Sequence, residues 1–183
     1  EGASVGTETT FGIEVTGGVY NILPNESLQK LVHKNLSEVG GVYYNEEENN
    51  YAETLSLTFG EQKKDILLAR TIEPYEFRKS TSGGGSTDVG DVSWVVPTVG
   101  FSTATYVSGT PGHSWQAASC TGTSIGLKGM LNAAKTLALT SYDLFNNPNI
   151  IKEATKEFNK KRGLDYNYSP LIGDRKPALD YRN

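Results

Sequence analysis

The chain has 183 residues, 37% of them hydrophobic, and a net charge of −4. That length suits one ordinary domain or pieces of two, and the acidic balance leaves no basic footprint, so nucleic acid is not an expected partner. A single cysteine rules out an internal disulfide framework and fits a reducing, cytoplasmic setting, while no apolar run approaches the roughly 18 residues needed to cross a bilayer. The sequence opens at Glu1 without an initiator methionine, and its first residues already read as structured. The expectation is that an N-terminal part has been removed.

In chain order, residues 2–23 are β-like. Thr9, Phe11, Ile13 and Val15 alternate, and the Gly17-Gly18 turn separates them from Val19, Ile22 and Leu23. Pro24-Asn25-Glu26-Ser27 opens a helix in which Leu28, Leu31, Val32, Leu36 and Val39 recur at helical spacing, and Gly40-Gly41 stop it. Asn45 with Glu48 three residues on forms a capping-box pattern. Tyr51, Ala52, Leu55 and Phe59 make the apolar stripe of that second helix. Residues 60–82 read as a charged connector, and 80–86 as a Ser/Gly loop. Residues 91–98, 99–107 and 115–121 read as strands, with Pro97 and Gly100 breaking any continuous central strand. A long helix is expected from Ser124 to about Phe145, with Ile125, Met130, Leu131, Ala134, Leu137, Ala138 and Tyr142 on its buried side. Asn147-Pro148 ends it and starts another, whose apolar positions are Ile150, Ile151, Ala154 and Phe158. From Gly163 the tail is irregular, and no internal repeat is present.

Two polar loops carry the candidate chemistry. His113 lies in Gly109-Thr110-Pro111-Gly112-His113-Ser114-Trp115, a turn that can aim its ring into a cleft. It reads either as a metal ligand, through one nitrogen with the other fixed by an acceptor, or as a surface-loop histidine. Asp88 and Asp91 sit in Gly85-Ser86-Thr87-Asp88-Val89-Gly90-Asp91-Val92-Ser93-Trp94. They serve either a site or plain turn chemistry. Gly83, Gly84 and Gly85 with Ser86 and Thr87 can present N–H groups and hydroxyls to an anion, but the lysine and spacing of a P-loop are missing. Glu46-Glu47-Glu48 falls in a first helical turn, where it complements the helix dipole. Cys120 reads as a small buried hydrophobe, His33 as a surface or lid-facing residue, and Trp94 and Trp115 as core.

Taken together, segments 85–94, 109–115 and Ile125-Gly126-Leu127-Lys128-Gly129-Met130-Leu131 resemble the C-terminal region of the aminobenzoyl-glutamate utilization protein B-like amidohydrolases. These are dinuclear metallopeptidases of the aminoacylase and carboxypeptidase G type. Tyr20-Asn21-Ile22-Leu23-Pro24-Asn25-Glu26 looks like the stretch that leads out of that family's lid domain. The resemblance covers roughly residues 1–146.

The resemblance implies an α/β fold: the C-terminal half of a catalytic domain with a mixed sheet flanked by helices, plus the last strand of an α+β lid that also dimerises. The implied divisions are 1–23 for the end of the lid, 24–162 for the catalytic part and 163–183 for an irregular tail. It implies two divalent ions, zinc or manganese, in the full-length protein, with His113 as the one ligand that maps here. The family's other metal ligands and catalytic glutamate, implied as a His-x-Asp motif, a bridging aspartate, a Glu-Glu pair and a further acidic ligand upstream of the lid, have no match in this sequence. Gly85, Ser86, Thr87, Asp88 and Asp91 would lie where related enzymes grip substrate. The implied substrate is a small N-acyl amino acid or dipeptide such as aminobenzoyl-glutamate, and the chain alone would be inactive and hold no metal stably. Two other readings remain: a non-catalytic α/β module that binds a small anion through Gly83–Asp88, or one half of a split hydrolase whose partner chain supplies the missing ligands.

Overall fold

The computed structural model describes residues 1–77, 85, 87–176 and 179. Its principal elements are α1 (Gly2–Gly6), α2 (Glu26–Val39), α3 (Glu46–Ser56), 3-10 turns at Gly60–Gln62 and Ile66–Arg70, α4 (Val89–Ser93), α5 (Trp115–Thr121), α6 (Ser124–Asn146) and α7 (Pro148–Arg162). Among the described residues there is no strand and no sheet, so the expected α/β fold with a mixed sheet is corrected to a helical one. No helix of the described residues is long and apolar enough to cross a membrane.

Each expected strand fails for a local reason. At 115–121, Ser114 accepts from the Ala117 N–H at 3.1 Å and caps a helix of small, helix-tolerant residues. At 91–98, residues 91–93 complete α4 and a turn follows. At 99–107 the chain runs without helix, yet no described segment pairs with it in a ladder, and a strand exists only through its partner. The first 23 residues also differ from expectation. Residues 2–6 form α1, and Phe11, Ile13, Val15 and Val19 are exposed, without regular structure.

The four longest helices, α2, α3, α6 and α7, begin where the sequence places them. Asn25 caps α2 by accepting from the Leu28 N–H at 3.1 Å, and its amide donates to the Ala154 carbonyl on α7 at 2.9 Å. Asn45 and Glu48 form the expected capping box on α3. Glu48 is buried and pairs with Lys128 of α6. Burial opposes its charge, but hydrogen bonds led by that from Lys128 win and hold its carboxyl below the usual range. The core gathers Val42, Tyr44, Ala52, Leu55, Phe59, Ala69, Val107, Cys120 and Ile125 between α3, the second 3-10 turn, α5 and the start of α6. Cys120 is fully buried as expected, though in a helix rather than a strand.

Of the expected buried side of α6 only Ile125 is buried; beyond it the helix turns another face inward. It buries Ile125, Gly126, Gly129, Thr136 and Thr140, while Met130, Leu131 and Leu137 are each more than half exposed. The cause is backbone approach. A Cβ on Gly126 would meet the Thr121 carbonyl oxygen at 2.7 Å, and one on Gly129 would collide with the Ala104 carbonyl. Only a side without side chains admits those neighbours. Thr136 and Thr140 return their hydroxyls to carbonyls four residues back, at 2.9 and 2.8 Å, which lets them sit buried against α2. Asn35 of α2 bridges to Thr140 at 3.3 Å and to Asp143 at 3.1 Å.

The start of α2 is fastened to α7 by one carboxylate. Glu157 accepts from the Glu26 and Ser27 N–H groups at 2.6 and 2.9 Å, from the Ser27 hydroxyl at 2.7 Å and from Lys161 at 2.6 Å. Burial opposes its charge, but these donors and the helix N-terminus outweigh burial and bring its pKa from an ordinary 4.5 to about 2. A depressed carboxyl pKa gives stability that is complete above pH 4.5 and lost as pH falls toward 2. Allowing for its partial exposure, the contribution is about 2 kcal/mol. Glu157→Gln should therefore lower the urea midpoint at pH 7 and flatten the acid limb of a stability–pH curve between pH 5 and 2, as read by circular dichroism.

Candidate functional site

The Gly-Asp-Val-Ser-Trp stretch is the point where three distant parts of the chain meet. Asp91 accepts from the Tyr20 N–H at 3.2 Å and from the Tyr168 hydroxyl at 2.9 Å, one on each carboxylate oxygen. Ser93 is fully buried and accepts from the Leu23 N–H at 2.8 Å while donating to the Gly90 carbonyl at 2.5 Å. Trp94 donates its indole N–H to the Asn21 carbonyl at 2.9 Å and stacks at a tilt on Tyr20 and Tyr166, with centroids 5.9 and 5.0 Å away. Tyr20 completes the knot by donating to the Ser169 carbonyl at 2.9 Å. The Asp91 carboxylate pushes the Tyr168 hydroxyl pKa up, since losing that proton would set two negative charges side by side.

Upstream of this knot the loop faces outward. Gly85, Thr87 and Asp88 are exposed, and Ser86 lies outside the described residues, as do Gly83 and Gly84. Thr87 accepts from the Val89 N–H at 3.2 Å. Asp88 stands at the start of α4, but its carboxylate makes no capping bond. It is an exposed anion held next to a rigid junction.

His113 sits one residue before the cap of α5, on a loop closed by the Ser114 hydroxyl donating to the Pro111 carbonyl at 2.6 Å. Its φ of 54° lies in the left-handed region, which a histidine adopts far less readily than glycine. Its ring is exposed and makes no hydrogen bond within the described residues. Trp115, two residues on, is 62% exposed, so it is not the core residue expected. His33, by contrast, is engaged: its Nε2 lies 2.9 Å from the Glu73 carbonyl and its ring meets the edge of Tyr75.

A dinuclear metal centre needs several His, Asp or Glu side chains converging on one point. Among the described residues no three such groups converge, and no described hydrogen bond joins His113 to Asp88 or Asp91. The residues present therefore do not make a metal centre by themselves. A cavity of about 680 Å³ lies elsewhere, between α2, residues 71–76 and residues 99–104.

This chain is similar to part of a known hydrolase. It is 32% identical, over 97% of its own length, to one of the subunits of the p-aminobenzoyl-glutamate hydrolase of Escherichia coli strain K12. That bears out the resemblance seen in the motifs. The chain spans 42% of that relative, in its C-terminal portion. No family model and no solved structure matches the chain. The similarity extends past residue 146, where the motifs stop being diagnostic. The knot explains why the tail matters: Tyr166, Tyr168 and Ser169 are the far side of the Asp91–Trp94 junction. The sequence signal was available as three tyrosines, one near residue 20 and two in the tail, but no periodicity connects them.

The junction makes a sharp contrast between two glycines. A Cβ on Gly90 would overlap the Tyr20 carbonyl, whereas nothing lies within 4 Å of one on Gly85. Gly90→Ala should cost about 1–3 kcal/mol by forcing the junction apart. Gly85→Ala should change the denaturation midpoint little. Paired urea titrations check this.

Proposed function

We propose that the chain is the C-terminal part of a metal-dependent amidohydrolase that cleaves the amide bond of N-acyl amino acids, with p-aminobenzoyl-glutamate as the type substrate. The observation that carries this reading is the 32% identity, along almost the whole chain, to part of a hydrolase named for that substrate. In this reading residues 24–162 belong to the catalytic part, 1–23 to a lid that also dimerises, and 163–183 to a tail. The exposed apolar side chains at Val5, Phe11, Ile13 and Val15 support a covered, self-associating role for the first segment. The protein works in the cytoplasm.

Amide hydrolysis needs an activated water, a proton carrier for the leaving amine and positive charge at the carbonyl oxygen. This chain offers one exposed imidazole and two loop carboxylates, too few for all three tasks. His113 is assigned as a single metal ligand, with the remaining ligands and the general base coming from outside these 183 residues. Gly85, Ser86, Thr87, Asp88 and Asp91 are assigned to the substrate side. Asp91 does this by holding the loop through Tyr20 and Tyr168, which leaves Asp88 as the outward-facing anion. A second reading has the missing groups on a separate polypeptide. It is favoured by the relative being one subunit of a larger hydrolase.

In the complete hydrolase, His113→Ala should remove one metal equivalent by elemental analysis and lower kcat at least about a hundredfold. The fold should persist, because the side chain is exposed and makes no described hydrogen bond. Asp88→Asn should act mainly on KM. An alanine variant with full metal content and normal turnover contradicts the ligand assignment.

A further inference from the structure

Past Gly163 the chain turns back along its own first segment. Counting up the tail runs down residues 20 to 14. The Ser169 carbonyl accepts from the Tyr20 hydroxyl at 2.9 Å. Leu171 lies against Gly18, where an added Cβ would meet the Leu171 Cβ at 2.9 Å. Arg175 donates to the Val15 carbonyl at 3.1 Å and pairs with Glu14 at 3.0 Å. The two stretches are antiparallel, yet no backbone-to-backbone hydrogen bond joins them among the described residues, so each tie is made by a side chain. Residues 20–23 in turn hold α4 and Trp94. The Tyr20 and Leu23 N–H groups donate to Asp91 and Ser93, and the Asn21 carbonyl accepts from the Trp94 indole. Among the described residues, no other hydrogen bond ties residues 14–23 to a distant part of the chain. Tyr168 stands where the two sets of contacts meet. Its hydroxyl donates to Asp91 at 2.9 Å and its ring tilts on Tyr20 with centroids 5.8 Å apart. The Asp88 carbonyl accepts from the Asp91 N–H at 3.0 Å, so the two aspartates belong to one turn.

We propose that the tail is a strap across the first segment, and that Tyr168 is a positioning residue that fixes, through Asp91, where Asp88 stands on the substrate side. The positioning role rests on the proposed assignment of Asp88; the strap does not. Tyr168 touches no reacting atom. It supplies the described donor on Asp91 Oδ1, while Tyr20 supplies that on Oδ2. Without the Tyr168 hydroxyl, Oδ1 turns to water, and the tail loses its tie to the loop. α4 is five residues long, too short to hold its own direction without tertiary contacts. The Asp88 turn then loses its fixed place. Substrate binding weakens, while the chemical step, which draws on groups from elsewhere, does not change.

Hydrogen–deuterium exchange on the 183-residue chain reads the strap, and steady-state kinetics on the complete hydrolase read the positioning. Tyr168→Phe keeps the ring and removes the donor. It should speed exchange in peptides covering 18–23 and 87–92 at least about threefold, with α2 and α6 unchanged. Arg175→Gln, at the far end of the strap, should speed the same peptides by a smaller factor. In the complete hydrolase, Tyr168→Phe should raise KM for p-aminobenzoyl-glutamate at least about threefold at constant kcat. Acceleration by neither variant, or by Tyr168→Phe alone, overturns the strap. So does acceleration that spreads to α2 and α6, which would make the tail an ordinary part of the fold's stability. Faster exchange with an unchanged KM, or with kcat falling in place of a KM rise, overturns the positioning role. A wild-type hydrolase that leaves p-aminobenzoyl-glutamate uncut overturns the proposed function instead, and the exchange result still decides the strap.

Discussion

The arrangement depends on which side of α6 is buried. Gly126 and Gly129 bring it within backbone reach of residues 104–105 and the end of α5, and Thr136 and Thr140 lay it on α2. Turning it the other way would bury the leucines but drive Cβ-free contacts apart and strand the Asn35–Thr140–Asp143 hydrogen bonds. Close packing and satisfied polar groups win on one face. The consequence appears on the other: Leu127, Met130, Leu131, Leu137, Tyr142 and Phe145 are all more than half exposed. The total accessible surface is 12960 Å². A compact monomer of this mass would show about 8,600 Å². Segments without regular structure, residues 8–24 and 163–176 among them, are largely exposed and add to that area.

The same economy governs the acidic groups. Three carboxylates, of which Asp91 reads from the sequence as a site candidate, are structural fasteners. Glu48 joins α3 to α6 through Lys128, Glu157 joins α7 to the start of α2, and Asp91 joins residue 20 to the tail. Each accepts from at least two donors, which makes a partly buried charge tolerable, although Glu48 keeps one buried oxygen, Oε1, without a partner among the described residues. Asp88 and His113 stand apart from this pattern. Both are exposed and neither side chain is committed within the described residues, which suits groups that act toward something outside the chain.

Local signals were legible and long-range ones were not. The caps at Asn25 and Asn45, the Gly40 stop, the Pro148 start and the apolar positions of α2 all appear as read. Those features act over four residues and need no knowledge of the fold. The face of α6 was misread because periodicity marks an apolar stripe without saying whether the chain can cover it. The strands at 99–107 and 115–121 were misread for different reasons. The first lacks a neighbour to pair with, and the second lost to a serine cap and small residues. At the candidate site the motif was legible, and it led to the right relatives. Its partners Tyr166 and Tyr168 lie more than seventy residues away, where only tertiary structure joins them to Asp91 and Trp94.

The central claim is that this chain holds one part of a catalytic centre completed from elsewhere. Calorimetric titration of zinc into the isolated chain tests it most directly. The account predicts no saturable binding in the micromolar range, because His113 alone cannot close a coordination shell. Tight binding of two equivalents, weakened by His113→Ala, would contradict it and show that these residues converge on a complete centre without help.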